Sequence, residues 1–266
     1  MTMKKALRII LTLVLVACIA YSAYKLYEIF SEYGEAEEIS EKMRNEYHPQ
    51  TLPPPTPESS STPSAAPVPT PSGISRPNPS ILDAQNEVNR DIVGFLTVPG
   101  TSIDYFFVLS ADNSDYLKRA INGASSSSGS IFMDYRNNRD FTDFNNVLYG
   151  HNMKSGKMFH NLRYFAERST FDSITTGTIY LPDRTYSIHF FAYLVVDAGN
   201  ERIYNTLQVG DEEELKAYLD YVKRNAQRYR EIDISFGDQV VTLSSCAYDF
   251  KEARMVLLGK LEEEYL

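Results

Sequence analysis

Eleven of the 13 prolines in this chain fall between Pro49 and Pro79, interleaved with Ser, Thr and Ala. Proline has no amide proton and a fixed φ, so such a stretch builds neither a helix interior nor a sheet ladder. It divides the 266 residues into three parts: 1–30, 31–79 and 80–266. Within the second part, Ser31 to Tyr47 is charged and helix-compatible, whereas Pro49–Pro79 reads as a semi-rigid, partly polyproline-II spacer. At about 3.1 Å per residue it would reach up to roughly 95 Å. A PxxP ligand has the same composition, but a plain stalk accounts for it. Any large folded domain therefore lies in residues 80–266.

The first part is expected to be a cytoplasmic stub and a membrane anchor. Ile9 to Tyr24 contains no charged residue. Those 16 residues cover about 24 Å as a helix, somewhat short of a hydrocarbon layer of about 30 Å. Leu7 and Leu26 extend the stretch, and Arg8 and Lys25 have stems long enough to reach the interfaces. Lys4, Lys5 and Arg8 precede it while Glu28, Glu32 and Glu35 follow, so a cytoplasmic N-terminus and an extracellular remainder are expected. A cleaved signal peptide, or a lipoprotein box at Leu15-Val16-Ala17-Cys18 with Cys18 lipidated, gives the same compartment for the remainder.

Composition excludes several classes. A formal charge of −9 without a basic tract argues against nucleic acid as a partner. Two cysteines, one of them inside the apolar stretch, allow neither a disulfide scaffold nor a cysteine-rich metal module. No His pair has metal-site spacing, and no cofactor is implied.

The third part is mainly β. Short runs rich in β-branched and aromatic residues occur at Gly94–Val98, Ser102–Val108, Ser130–Met133, Asn146–Tyr149, Thr178–Leu181, Tyr186–Val196, Gln239–Ser245 and Met255–Leu261. Most are bounded by Gly, Pro, Asn or Asp, as strands are. Helical spacing is present at Ile81–Ile92, Lys157–Glu167 and Glu212–Arg230. Eight short strands with two or three helices predict a β-barrel with helical decorations, not a regular βαβ alternation.

Outside the apolar segment the one cysteine is Cys246, at the end of the strongly β-forming Val240–Ser245. By itself it reads as a small buried hydrophobe; the functional alternative is a nucleophilic thiolate. Of four histidines, His48 falls in the spacer, and His160 and His189 read as structural or surface residues. His151 differs, because it directly follows Tyr149-Gly150 at a strand end, where a sheet rim exposes an imidazole. Arg254 follows Cys246 by eight positions, so a hairpin return can bring the two together. Spacing alone leaves Arg254 as an exposed strand-end residue.

These residues also carry a resemblance. Thr242-Leu243-Ser244-Ser245-Cys246 is similar to the sortase signature Thr-Leu-x-Thr-Cys, with Arg254 and the Tyr149–Asn152 segment in the positions that family uses. Asp91–Tyr105, Gly129–Asn137, Gly150–Phe159 and the long helix ahead of the cysteine strand resemble class B sortases in particular. Ser245 departs from the signature, keeping the hydroxyl of Thr without its methyl. The resemblance implies an eight-stranded sortase-type barrel and a membrane-anchored cysteine transpeptidase. In that reading Cys246 attacks the carbonyl of a C-terminal sorting motif on a surface protein and holds the thioacyl intermediate. His151 serves as acid and base, Arg254 stabilises the oxyanion, and Ser244 contacts the peptide. The acyl group passes to an amine of a peptidoglycan precursor, or to a pilin lysine. The segment Asn200–Gly210 would form a wall of the groove. The competing readings are a secreted Cys-His hydrolase and a non-enzymatic anchored binding module.

Overall fold

The computed structural model describes residues 3–49, 75–246 and 252–265. Nine strands form one sheet: β1 (Ile92–Thr97), β2 (Asp104–Val108), β3 (Ile131–Met133), β4 (Asn145–Tyr149), β5 (Thr176–Tyr180), β6 (Thr185–Asp197), β7 (Arg228–Tyr229), β8 (Gln239–Cys246) and β9 (Ala253–Glu264). Their order is β5-β1-β2-β3-β4-β8-β9-β6-β7, and β5 also pairs with β6. Eight strands therefore close on themselves, leaving the two-residue β7 appended to β6. The eight closing strands are those expected from the sequence, with ends shifted by a few residues. Closure removes the open edges that a mainly β protein would otherwise expose.

Alternation along the strands sorts side chains between two packing layers. On β8, Val241 and Leu243 join an interior cluster with Phe107, Phe141, Phe159 and Phe190. Val240 instead joins Leu215, Tyr218 and Val222 of helix α5 (Glu212–Asn225) on the outside. Each such buried side chain contributes about 1.5–3 kcal/mol of hydrophobic stabilisation.

The helices depart from expectation in instructive ways. The helix α2 (Pro79–Glu87) begins with proline in its first turn and ends before Ile92, which opens β1 instead of closing the helix. Residues Phe159–Ala166 form a 3-10 helix, because Phe159, Leu162 and Phe165 are buried at a spacing of three. A short helix α3 (Arg168–Ser173) follows it. The long helix expected to run to Arg230 stops at Asn225. Arg228 and Tyr229 leave the helical pattern to pair with Tyr193 and Ala192 of β6. Arg230 then donates to the Phe171 carbonyl at 2.7 Å and lies 4.6 Å over the Phe171 ring. The start of α5 follows the sequence: Asp211 caps it by accepting from Glu214 N–H at 2.8 Å, and three glutamates fill the first turn.

Helix α1 (Met3–Tyr47) is continuous over 45 residues. Its large apolar side chains from Ile10 to Tyr24 are exposed, with Leu11 at 60% and Tyr21 at 65%. Among the described residues no helix is long and apolar enough to cross a membrane, so the expected single-pass span has no counterpart there. The last turns of α1 are not a free spacer. Met43 is buried with Ile81, Phe95 and Phe106 against the barrel. Glu37 pairs with Lys157 at 2.7 Å, Tyr47 donates to Glu87 at 2.8 Å, and the His48 ring meets Phe95 edge-on at 4.9 Å. The expected polyproline-II spacer lies mostly outside the described residues, but both its flanks rest on the same body. His48 sits beside β1, and Ser75 bridges to Tyr265 after β9, with Arg76 paired to Glu264 at 3.1 Å. The end of α1 and residues 75–76 thus both pack on the barrel.

Truncating Met43 tests that docking. Met43→Ala should lower unfolding stability by about 2 kcal/mol, as core methionines do. An unchanged denaturant midpoint would mean that α1 does not belong to the folded unit.

Candidate active site

β4 and β8 run parallel, with Tyr149 opposite Ser244. The Gly150 amide extends this ladder one step by donating to the Ser244 carbonyl at 3.1 Å. In return the Ser245 hydroxyl donates to the Gly150 carbonyl at 2.7 Å. Glycine is required there: a Cβ would press on the Phe159 ring at 2.8 Å and on Ile131. His151 consequently leaves the sheet at the rim where β8 ends.

Cys246 is the last residue of β8, two beyond Ser244, and its antiparallel register partner on β9 is Arg254. The hairpin return expected from the eight-residue spacing is therefore present in the register. The Cys246 side chain and residues 247–251 lie outside the described part of the structure.

A cavity of about 360 Å³ opens at this rim, lined by His151, Arg254, Ser244, Ser245, Leu117, Phe132, Tyr149 and Tyr204 among others. Three sequence-selected residues, His151, Ser244 and Arg254, thus share one cavity at the end of the strand that carries the fourth. Ser244 is only 1% exposed, and its hydroxyl is bonded to the Tyr204 hydroxyl at 2.8 Å. The Arg254 guanidinium is held by its neighbours, with Nη2 3.6 Å from Glu252 and Nη1 donating to the Ala253 carbonyl at 3.1 Å. Glu252 itself adopts φ +62, which turns the chain into β9.

The His151 ring is oriented by a backbone group. Its Nε2 lies 2.9 Å from the Leu117 carbonyl, at the end of a 3-10 turn (Asp115–Leu117). A carbonyl only accepts, so Nε2 carries the proton and Nδ1 is left as the free acceptor of the neutral ring.

Behind the cavity lies a network that sequence reasoning did not single out. Asp134 is fully buried and receives Arg136 Nε at 2.8 Å, Arg136 Nη2 at 2.7 Å and the Tyr149 hydroxyl at 2.9 Å. Burial alone would raise the Asp134 pKa; the bonds from Arg136 and Tyr149 outweigh it and hold the carboxyl below its ordinary value. Burial, followed by the Asp134 charge, pushes the Tyr149 phenol up, so it remains a donor at any working pH. The available signal was Asp134-Tyr135-Arg136 directly after β3, inside the Gly129–Asn137 segment that carries part of the resemblance.

The remaining histidines lie elsewhere. His160 is buried with Nδ1 2.9 Å from Asn152, and His189 pairs with Glu262 at 3.1 Å on β6. His48 stays half-exposed, 3.6 Å from Asp104, on the barrel surface. Among the described residues no group of His, Cys, Asp and Glu could hold a metal ion.

Comparison with known proteins gives a consistent set of relatives. The sortase B of Listeria monocytogenes is 34% identical over 177 residues, covering 66% of this chain and 71% of that protein. The crystal structure of Bacillus anthracis sortase B in complex with AAEK1 superposes with a TM-score of 0.71 at 26% identity, covering 89% of this chain and all of that one. A class B sortase of Streptococcus pyogenes involved in pilus biogenesis has a TM-score of 0.62 at 30% identity, covering 68% of this chain and 97% of that one. No protein-family model matches the sequence.

The His151 geometry has a direct spectroscopic test. In long-range 1H–15N correlation spectra the neutral form of the ring should show the Nε2–H tautomer; an Nδ1–H pattern would contradict the Leu117 contact.

Proposed function

The chain belongs to the class B sortases, and from that membership we propose a membrane-attached cysteine transpeptidase acting on the sorting motifs of surface proteins. The observation that carries this reading is convergence: His151 and Arg254 line one cavity, and Arg254 stands in register with Cys246 at the end of β8.

The Cys246 thiol gives its proton to Nδ1 of His151, and the resulting thiolate adds to the scissile carbonyl carbon, whose oxygen takes up negative charge. The Arg254 guanidinium, permanently charged and carrying several donors, stabilises that oxyanion. Collapse of the tetrahedral species expels the C-terminal fragment as an amine, which receives a proton from His151. With Nε2 held by Leu117, the proton passes through Nδ1. A second amine then loses its proton to His151, attacks the thioester and releases the thiolate. Splitting one amide exchange into two steps is the benefit of covalent catalysis. Ser244, fixed by Tyr204, lies in the wall against which the peptide rests.

The incoming amine is assigned to a peptidoglycan precursor. A pilin lysine is the second reading, favoured by the likeness to the Streptococcus pyogenes enzyme of pilus biogenesis.

Membrane attachment through α1 is supported by its exposed apolar side chains from Ile10 to Tyr24. Because α1 continues unbroken into the part that docks on the barrel, only the turns between Lys25 and Glu37 separate the two. That interval is about 18 Å of helix, which keeps the cavity close to the bilayer. A surface-bound enzyme meets membrane-borne donors and acceptors at raised effective concentration.

The full chain should cleave a sorting-motif peptide and ligate it to an added amine. Cys246→Ala should abolish both activities. Arg254→Ala should slow turnover by about 10²–10³-fold, as loss of an oxyanion donor does. His151→Asn should slow it by about 10²–10⁴-fold and flatten the pH profile. Product mass spectra with and without amine separate transpeptidation from hydrolysis, and substantial turnover by Cys246→Ala would reject the mechanism. Vesicle flotation checks attachment: the full chain should float, and a chain lacking residues 1–30 should stay in the soluble fraction.

A further inference from the structure

One wall of the cavity is formed by Tyr204 of α4 (Glu201–Tyr204) and Asn205, in the connection between β6 and α5, and it meets the β4–β8 rim through the Tyr204–Ser244 hydrogen bond. A helix of four residues leaves its last carbonyls without helical partners. Two side chains from the barrel take up that role. Asn145 Nδ2 donates to the Ile203 carbonyl at 2.9 Å, and Arg136 Nη2 donates to the Tyr204 carbonyl at 2.8 Å. Arg136 also donates from Nη1 to Asn205 Oδ1 at 2.7 Å. Its Nε and Nη2 also donate to Asp134, the same carboxylate that receives the Tyr149 hydroxyl. Tyr149 is the last residue of β4, two before His151.

We propose that Asp134 and Arg136 form a positioning pair that fixes the α4 wall at a set distance from the His151-bearing strand, and so determines how the acyl-donor peptide lies across the cavity. The proposal rests on the transpeptidase reading for its substrate. Neither residue exchanges a proton or touches the reacting bond. The planar guanidinium suits the task because it reaches the carboxylate, a carbonyl and an amide oxygen together, which an ammonium on a flexible stem does not. Capping a helix C-terminus with a cation also complements the partial negative charge there. The pair is internally balanced: Asp134 keeps Arg136 pointed at α4, and Arg136 neutralises a carboxylate with no exposure of its own.

The test compares the full chain with Arg136→Met, which keeps the length and loses every donor, and with Arg136→Lys. Peptide cleavage and ligation give KM and kcat separately, and hydrogen–deuterium exchange reports on residues 197–210. For Arg136→Met, KM for the peptide should rise about tenfold while kcat changes by no more than about threefold, the size expected for losing hydrogen bonds to a charged group. Arg136→Lys should recover part of that loss. Exchange should quicken in 197–210 and stay unchanged in β8 and β9. An Arg136→Met protein with parental KM and parental exchange overturns the proposal. So does a parallel fall of kcat and stability with exchange quickened throughout the barrel, because that is the signature of a purely structural role. If the parent itself turns over no peptide, the transpeptidase reading fails, and the exchange comparison still decides whether Arg136 pins the wall.

Discussion

The site depends on one junction, where the parallel pairing of β4 with β8 is carried past Tyr149 by two hydrogen bonds across Gly150. One is a backbone bond, from the Gly150 amide to the Ser244 carbonyl, and the other comes from the Ser245 hydroxyl to the Gly150 carbonyl. Residues nearly a hundred positions apart are thereby held a few ångströms from one another. The step after Gly150 is His151, and the step after Ser245 is Cys246. A side-chain bond to a backbone carbonyl is modest in net energy, about 1 kcal/mol, yet it fixes geometry where small displacements of reacting groups are costly.

Around that junction the barrel supplies rigidity and the surface supplies adaptation. Cys246 and Arg254 belong to the best-paired hairpin of the structure, and β9 is in turn paired along nearly its whole length with β6. Arg254 is therefore mounted on a strand held between two neighbours. His151 sits on a loop and borrows its orientation from the Leu117 carbonyl. The adjoining wall is a short helix whose last carbonyls are held by Arg136 and Asn145. A strand pair that brings Arg254 into register with Cys246, beside a tied-down loop and wall, suits the transpeptidase proposed above.

Much of this was legible in the sequence because it is local. The eight closing strands announce themselves by β-branched and aromatic runs between turn residues, and the short spacing between two such runs allows the return of Arg254 to Cys246. The hydroxyl that Ser245 keeps makes a bond to the Gly150 carbonyl in which a methyl group plays no part. What was not legible is tertiary. Arg228 and Tyr229 continue a helical pattern on paper but are taken by β6. Met43 is hidden among charged neighbours, so nothing local signals that the end of α1 docks on the barrel. Asp134 and Arg136, two residues apart and both charged, give no sign in sequence that one is wholly buried and that the other reaches α4.

The most direct measurement is the rate at which a sorting-motif peptide acylates the protein in the absence of amine, followed by rapid quenching and intact-mass analysis of the parent and of Ser245→Ala. With the junction intact, a thioester adduct should accumulate on Cys246. Removing the Ser245 hydroxyl should slow its formation by about tenfold or more, through misplacement of His151 relative to β8. An adduct forming on Ser245→Ala at the parental rate would show that the Gly150–Ser245 junction does not set the geometry of the site.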